Sequence, residues 1–268
     1  MKAGERPIGV FDSGVGGLTV AHAIRQALPG ESLIYFGDTA HLPYGDKSEE
    51  AIRNYSRRIT DFLIGYDSKM VLIACNSASA SAYETLLGEF GSKILIMDVI
   101  NPVVEYVTSH NYRKLGVIGT KRTISSGTYE KKIHDASASA SVYSLATPLL
   151  VPMIEEGFIF DDISNAIIRT YLSDSGLNDI DALILGCTHY PIIRNQISKF
   201  FNFNVEVIDS ARIVAQRLRV MLEQNDLLNK GRTGEDLFFV SDYTEYFGKI
   251  ARMFFEGNIN LQKADIWR

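Results

Sequence analysis

A chain of 268 residues is long enough to bury a substantial core, as one large domain or two of ordinary size. Its 46% hydrophobic and 22% charged residues describe an ordinary soluble globular protein, and a net charge of −5 without a dense Lys/Arg run argues against a nucleic-acid surface. With only Cys75 and Cys187 a disulfide framework is not indicated, and no apolar stretch approaches the roughly 18–20 residues that span a bilayer. The polar Met1–Pro7 leads straight into a strand and gives no signal peptide, so a cytoplasmic location with reduced thiols is expected. The five histidines show no metal-ligand spacing, and no metal is expected.

Ile8–Phe11 is a short apolar run ending in Asp12-Ser13-Gly14-Val15-Gly16-Gly17, and a helical pattern follows through Leu18, Ala21, Ile24 and Leu28. Strand, glycine-rich turn and helix open a doubly wound α/β unit. A second strand, Leu33–Phe36, stops at Gly37-Asp38-Thr39, and a loop through Pro43-Tyr44-Gly45 reaches a helix capped by Ser48. The third strand, Met70–Ala74, delivers Cys75-Asn76-Ser77 to the start of another helix, and Ile94–Val99 is a fourth. The pattern then restarts. Leu115–Gly119 ends at Thr120, and a strand is expected at Val142–Leu145. A loop carries Pro148, Pro152, Glu155, Glu156 and Gly157, and a helix spans about Asp162 to Leu172. Ala182–Leu185 reads as a strand buried on both faces, running into Gly186-Cys187-Thr188-His189 where a helix should begin. Val205–Ile208 follows, then Asp209-Ser210 capping a helix to about Glu223, a polar stretch Gln224–Asp236, a strand Leu237–Val240 and an amphipathic helix Thr244–Phe255.

This order is a loose duplication: a strand ending in a hydroxyl residue, then a later strand ending in cysteine, twice over. Ser13 and Cys75 make the first pair, Thr120 and Cys187 the second. Ligands of open α/β sheets bind at the carboxyl ends of the strands, and a helix N-terminus there favours thiolate over thiol. Two halves facing one cleft would each contribute one thiol. Cys187 with His189 alone could pass for a nucleophilic dyad or for core packing, but Cys75 would then have no task, and a redox pair is more usually Cys-X-X-Cys. Two acid–base groups on opposite walls suit inversion at a carbon: one thiolate removes a proton, and the other thiol returns one to the opposite face. Gly14–Gly17 is expected to let backbone approach the ligand, with N–H groups at helix starts holding its anionic groups.

The runs Ile8–Gly17, Gly37-Asp38-Thr39 with Pro43-Tyr44-Gly45, Ala74–Ala80 and Leu185–Pro191 resemble, in order and over nearly the whole chain, the cofactor-independent glutamate racemases. The resemblance implies two similar doubly wound α/β domains related by pseudo-symmetry, with the active site in the cleft between them. Residues 1–98 with the returning segment 209–268 would form one, and 99–208 the other. It implies interconversion of L- and D-glutamate without cofactor, supplying D-glutamate for peptidoglycan synthesis, in a homodimer. Cys75 would be the base for D-glutamate and Cys187 for L-glutamate. Asp12 would support Cys75, and His189 would support Cys187 with help from Glu155. Ser13, Tyr44, Gly45, Asn76, Ser77, Thr120, Thr123 and Thr188, with Asp12 and His189, would hold the substrate. Ser77 replaces a more usual Thr, and His41 a common Arg. The related aspartate racemases tend to carry Glu where this chain has His189, which favours glutamate.

One rival is a nucleotide-dependent oxidoreductase, since Gly14-Val15-Gly16 follows a strand and Asp38 ends the next. The third fingerprint position, however, is Thr19. Another is a protein that closes over an amino acid without reacting. Trp267 is expected to pack on the body, and Asp38 either to support the site or to cap its loop.

Overall fold

The computed structural model describes residues 2–137, 139–231, 234–255 and 259–267. Residue 138 of the Ala/Ser alternation and residues 232 and 233 of the polar stretch lie outside the described residues. In chain order the strands and helices are β1 (Ile8–Asp12), α1 (Leu18–Ala27), β2 (Leu33–Gly37), α2 (Glu49–Gly65), β3 (Met70–Ile73), α3 (Asn76–Phe90) and β4 (Leu95–Asp98). There follow α4 (Ile100–Ser109), β5 (Lys114–Gly119), α5 (Lys121–Ser125), α6 (Thr128–Ala136), β6 (Ser141–Ala146), α7 (Leu150–Glu155), α8 (Asp162–Leu172) and β7 (Ala182–Gly186). The chain closes with α9 (Arg194–Phe200), β8 (Glu206–Ile208), α10 (Ser210–Gln224), β9 (Leu237–Val240), α11 (Glu245–Phe254) and β10 (Leu261–Lys263).

Among the described residues all strand pairs are parallel, and they form two sheets. One has the order β10-β9-β2-β1-β3-β4, the other β6-β5-β7-β8. Within the first, β2-β1-β3-β4 repeats the order of the second strand for strand, so β1 corresponds to β5 and β3 to β7. The duplication read from Ser13/Cys75 and Thr120/Cys187 is thus a duplication of topology. Every residue of β1, β2, β3 and β7 is buried, as parallel strands covered by helices on both faces must be. The strands β9 and β10, contributed after α10, extend the first sheet beyond β2.

Local chemistry explains the helix starts. Ser48 accepts from Ala51 N–H at the head of α2, Asp209 from Ala211 N–H at α10, and Thr244 from Phe247 N–H at α11. Asp161 caps α8 and bonds reciprocally with Ser164. The largest difference from expectation is the stretch after Pro148. Its prolines and glycine read as loop, yet Leu150–Glu155 is a helix, which buries Leu150, Met153 and Ile154. Tertiary burial overrides propensity there. Helix α10 packs on α1 and α4 and reaches β7, so it stands between the two sheets. Among the described residues no helix is long and apolar enough to cross a membrane.

Candidate active site

The carboxyl ends of β1, β3, β5 and β7 meet at a cavity of about 300 Å³ lined from both sheets. The six-stranded side contributes Ser13, Tyr44, Gly45, Cys75, Asn76 and Ser77. The four-stranded side contributes Thr120, Glu155, Cys187, Thr188 and His189. Asp12 and Thr123 stand behind this lining, both buried. Thr123 bonds the hydroxyls of Ser77 (3.3 Å) and Thr120 (3.1 Å), while Asp12 accepts from Gly14 N–H at 2.9 Å.

Cys75 is the N-cap of the fifteen-residue α3, so the first-turn N–H groups of that helix open towards the cavity. Its sulfur lies 3.6 Å from Ser13 Oγ. Burial and the neighbouring Asp12 push the thiol up to about 12, against the opposing effect of the Ala78 N–H and the Ser13 hydroxyl. Burial also raises Asp12, although the charge of His189 and three backbone N–H groups oppose this. Cys75 is therefore held as a neutral thiol near pH 7. The expected lowering by a helix terminus is outweighed by desolvation.

Cys187 follows β7 directly, but no α-helix begins beside it. A 3₁₀ turn, Tyr190–Ile193, intervenes, and α9 starts only at Arg194. This corrects the expected helix terminus; a side chain supplies the positive charge instead. His189 Nδ1 is 3.8 Å from the Cys187 sulfur, and Nε2 is 2.9 Å from Glu155 Oε1. Burial alone would lower the imidazole, but its contacts with Cys187 and Glu155 hold it up to about 10. A cation thus sits against the second thiol. Of the two adjacent glutamates, Glu155 reaches His189, while Glu156 meets Tyr246 Oη at 3.1 Å. Helix α7 makes this possible by ending at Glu155.

The two halves touch through small residues. A Cβ on Gly16 would lie 2.3 Å from the His189 ring and 2.6 Å from Thr188 Oγ1, and one on Gly45 would lie 2.9 Å from Thr120 Cβ. The glycine-rich turn therefore brings the halves together rather than lining the cavity, where Ser13 stands instead. Thr19, which breaks the nucleotide fingerprint, donates to Thr188 O at 3.0 Å. Ser77 and Thr120 hydroxyls meet at 2.8 Å, and Tyr129 donates to Asn76 Oδ1 at 2.8 Å. The Nδ2 of Asn76 is buried without a partner among the described residues, an available donor in the cavity wall.

Sequence reading missed Thr147, whose hydroxyl bonds that of Tyr190 at 2.7 Å, and the ion pair Lys121–Asp46, 3.2 Å across the lining. Thr147 directly follows β6, so the rule that pointed to Thr120 after β5 could have found it.

A family model described as Asp/Glu/Hydantoin racemase matches residues 8–218. The glutamate racemase of Chlorobaculum parvum is 41% identical over 251 residues, 92% of each chain. That of Neisseria gonorrhoeae is 40% identical over 253 residues, 93% of each. A crystal structure of glutamate racemase from Francisella tularensis in complex with D-glutamate superposes with a TM-score of 0.92 at 39% identity, covering 98% of this chain and 99% of that one. With this coverage and identity, the chain belongs to the Asp/Glu racemase family.

Proposed function

We propose that the protein is a glutamate racemase that inverts the α-carbon with two cysteines and no cofactor. The observation that carries this reading is a pair of buried cysteines at equivalent strand ends of two duplicated sheets, lining one cavity with unequal electrostatic surroundings. In the L-to-D direction, Cys187 as thiolate beside protonated His189 takes the Cα proton. The electron pair left on Cα spreads into the α-carboxylate. Cys75 then gives its S–H proton to the opposite face, leaving Cys75 as thiolate and Cys187 as thiol. The D-to-L direction runs these transfers backwards.

A Cα proton beside a carboxylate is very weakly acidic, so donors fixed on that carboxylate must stabilise the developing charge. The α3 N–H groups, Asn76, Ser77, Ser13, Thr120 and Thr188 supply such donors, and Tyr44 with Gly45 bounds the far end. Asp12 supports Cys75 from behind the wall, Glu155 orients His189, and Thr123 holds Ser77 and Thr120. The two halves correspond to residues 1–98 with 209–268 and residues 99–208. The physiological role is supply of D-glutamate for peptidoglycan. The relatives named above are glutamate racemases, which favours glutamate over aspartate. Purified protein incubated with L-glutamate, without added cofactor, should yield D-glutamate by chiral chromatography and leave L-aspartate unchanged. Inversion of aspartate alone would overturn the substrate assignment.

A further inference from the structure

Tyr44 and Gly45 form a side of the cavity that abuts the other half, where Gly45 sits directly against Thr120. What fixes that loop lies far away in sequence. The carboxylate of Asp38, wholly buried at the end of β2, receives the Tyr44 hydroxyl at 2.7 Å, the Ser241 hydroxyl at 2.8 Å and His41 Nδ1 at 3.0 Å. Ser241 follows β9, and its oxygen also accepts from Ala40 N–H at 2.8 Å. Thr39 Oγ1 accepts from Asp242 N–H at 2.9 Å. The same segment returns through β10 to Trp267. The indole meets His41 edge-on at 4.5 Å and Tyr55 edge-on at 5.4 Å, and Tyr55 stacks on His41 at 4.1 Å. Arg58 donates to Trp267 O at 3.1 Å and lies over the indole ring.

On the reading of the site given above, we infer that Ser241 and Trp267, from the C-terminal part of the chain, position the Pro43–Gly45 loop through Asp38 and His41. Tyr44 is 1% exposed, and its hydroxyl is anchored on Asp38. Ser241 donates to Oδ1 of Asp38 and Tyr44 to Oδ2, so removing the Ser241 hydroxyl leaves Oδ1 of a buried carboxylate with the His41 ring beside it and one donor fewer. His41, the other donor, holds its ring orientation through aromatic contacts with Tyr55 and Trp267. None of Ser241, His41 and Trp267 lines the cavity, so their effect on substrate must pass through the loop.

The test compares Ser241→Ala, Trp267→Ala and the conservative Trp267→Phe with wild type by steady-state kinetics on L-glutamate. Hydrogen–deuterium exchange of residues 39–46 is measured in parallel. Both alanine variants should raise KM about tenfold with a much smaller change in kcat, since the loop bounds substrate rather than transferring protons. Exchange in the loop should accelerate in both, and Trp267→Phe should restore both readouts. Unchanged KM and unchanged loop exchange in folded Ser241→Ala would overturn the inference, and that variant decides alone if Trp267→Ala does not fold. If wild type does not racemise glutamate, the activity reading fails, while loop exchange still decides whether Ser241 and Trp267 position the loop.

Discussion

Glu155 Oε1 lies 2.9 Å from Nε2 of His189, on the ring edge opposite the one that faces Cys187. The carboxylate and the thiol thus hold one imidazole between them, and its proton is retained up to about 10 although the ring is buried. L- and D-glutamate have equal free energies in solution, so kcat/KM is the same in both directions at every pH and one profile describes the enzyme. Its high-pH limb should report loss of the His189 proton. Glu155→Gln removes one of the two contacts that raise the group and should move that limb to lower pH. A pH–rate profile of the variant that overlays wild type would contradict this role.

The same raised value has a stability consequence with a defined sign. The ordinary value is 6.5 and the folded value about 10, so the folded protein binds more protons between them. The contribution is fully present below about pH 6.5 and is lost as pH rises through about 10. Urea midpoints measured from pH 6 to 10 should decline less in His189→Asn than in wild type. Parallel declines would place the titration elsewhere.

On the two-thiol mechanism proposed above, each thiol is needed for each turnover, whichever enantiomer enters. Cys75→Ser and Cys187→Ser should both lose racemisation in both directions by at least the ~10²–10⁴-fold that general acid–base groups contribute. Near-isosteric replacement should leave the melting temperature close to wild type. Activity surviving in either variant would remove that cysteine from proton transfer.

Gly16 packs directly against Thr188 and His189 of the other half. Gly16→Ala places a methyl 2.3 Å from the His189 ring, so either the ring or the turn must shift. A displacement of about 1 Å at a reacting group costs on the order of 10²-fold, and we expect that loss in kcat/KM with destabilisation of about 1–3 kcal/mol. Gly14→Ala, whose methyl would meet only Leu42 at 3.5 Å, should be much milder.

A control lies remote from the cavity. Lys69 and Glu31 form an ion pair with side chains 1% exposed, and Lys69 Nζ also donates to Gly4 O and Leu227 O at 2.8 Å. Burial lowers the ammonium's pKa, and Glu31 opposes this. Lys69→Ala strands a buried carboxylate and should cost about 3–5 kcal/mol by chemical denaturation. KM at low temperature should be unaltered.

The strands were legible because parallel strands buried on both faces are continuous apolar runs; Leu237–Val240 and Ala182–Leu185 stand almost where periodicity placed them. Both cysteines were legible for the same reason, as residues just past such runs. Three features were not. Helix α7 hides behind Pro148, Pro152 and Gly157, because its stability comes from burial rather than propensity. Strand β10 is three residues long and largely exposed, so it carries no pattern. The support of Tyr44 by Ser241 through Asp38 joins segments about two hundred residues apart, and no local spacing encodes such a contact. Asp38 accepts from Tyr44 of the cavity lining as well as from His41 of its own loop, and only the fold reveals the first contact.

The most direct test of the two-thiol account is racemisation of L-glutamate in D₂O, followed at low conversion by chiral separation and mass spectrometry. If separate cysteines remove and deliver the proton, D-glutamate should carry one α-deuterium while the remaining L-glutamate stays protiated. Equal deuterium in both enantiomers from the earliest times would mean that one group serves both faces, and would contradict the assignment of Cys75 and Cys187 to opposite sides of the α-carbon.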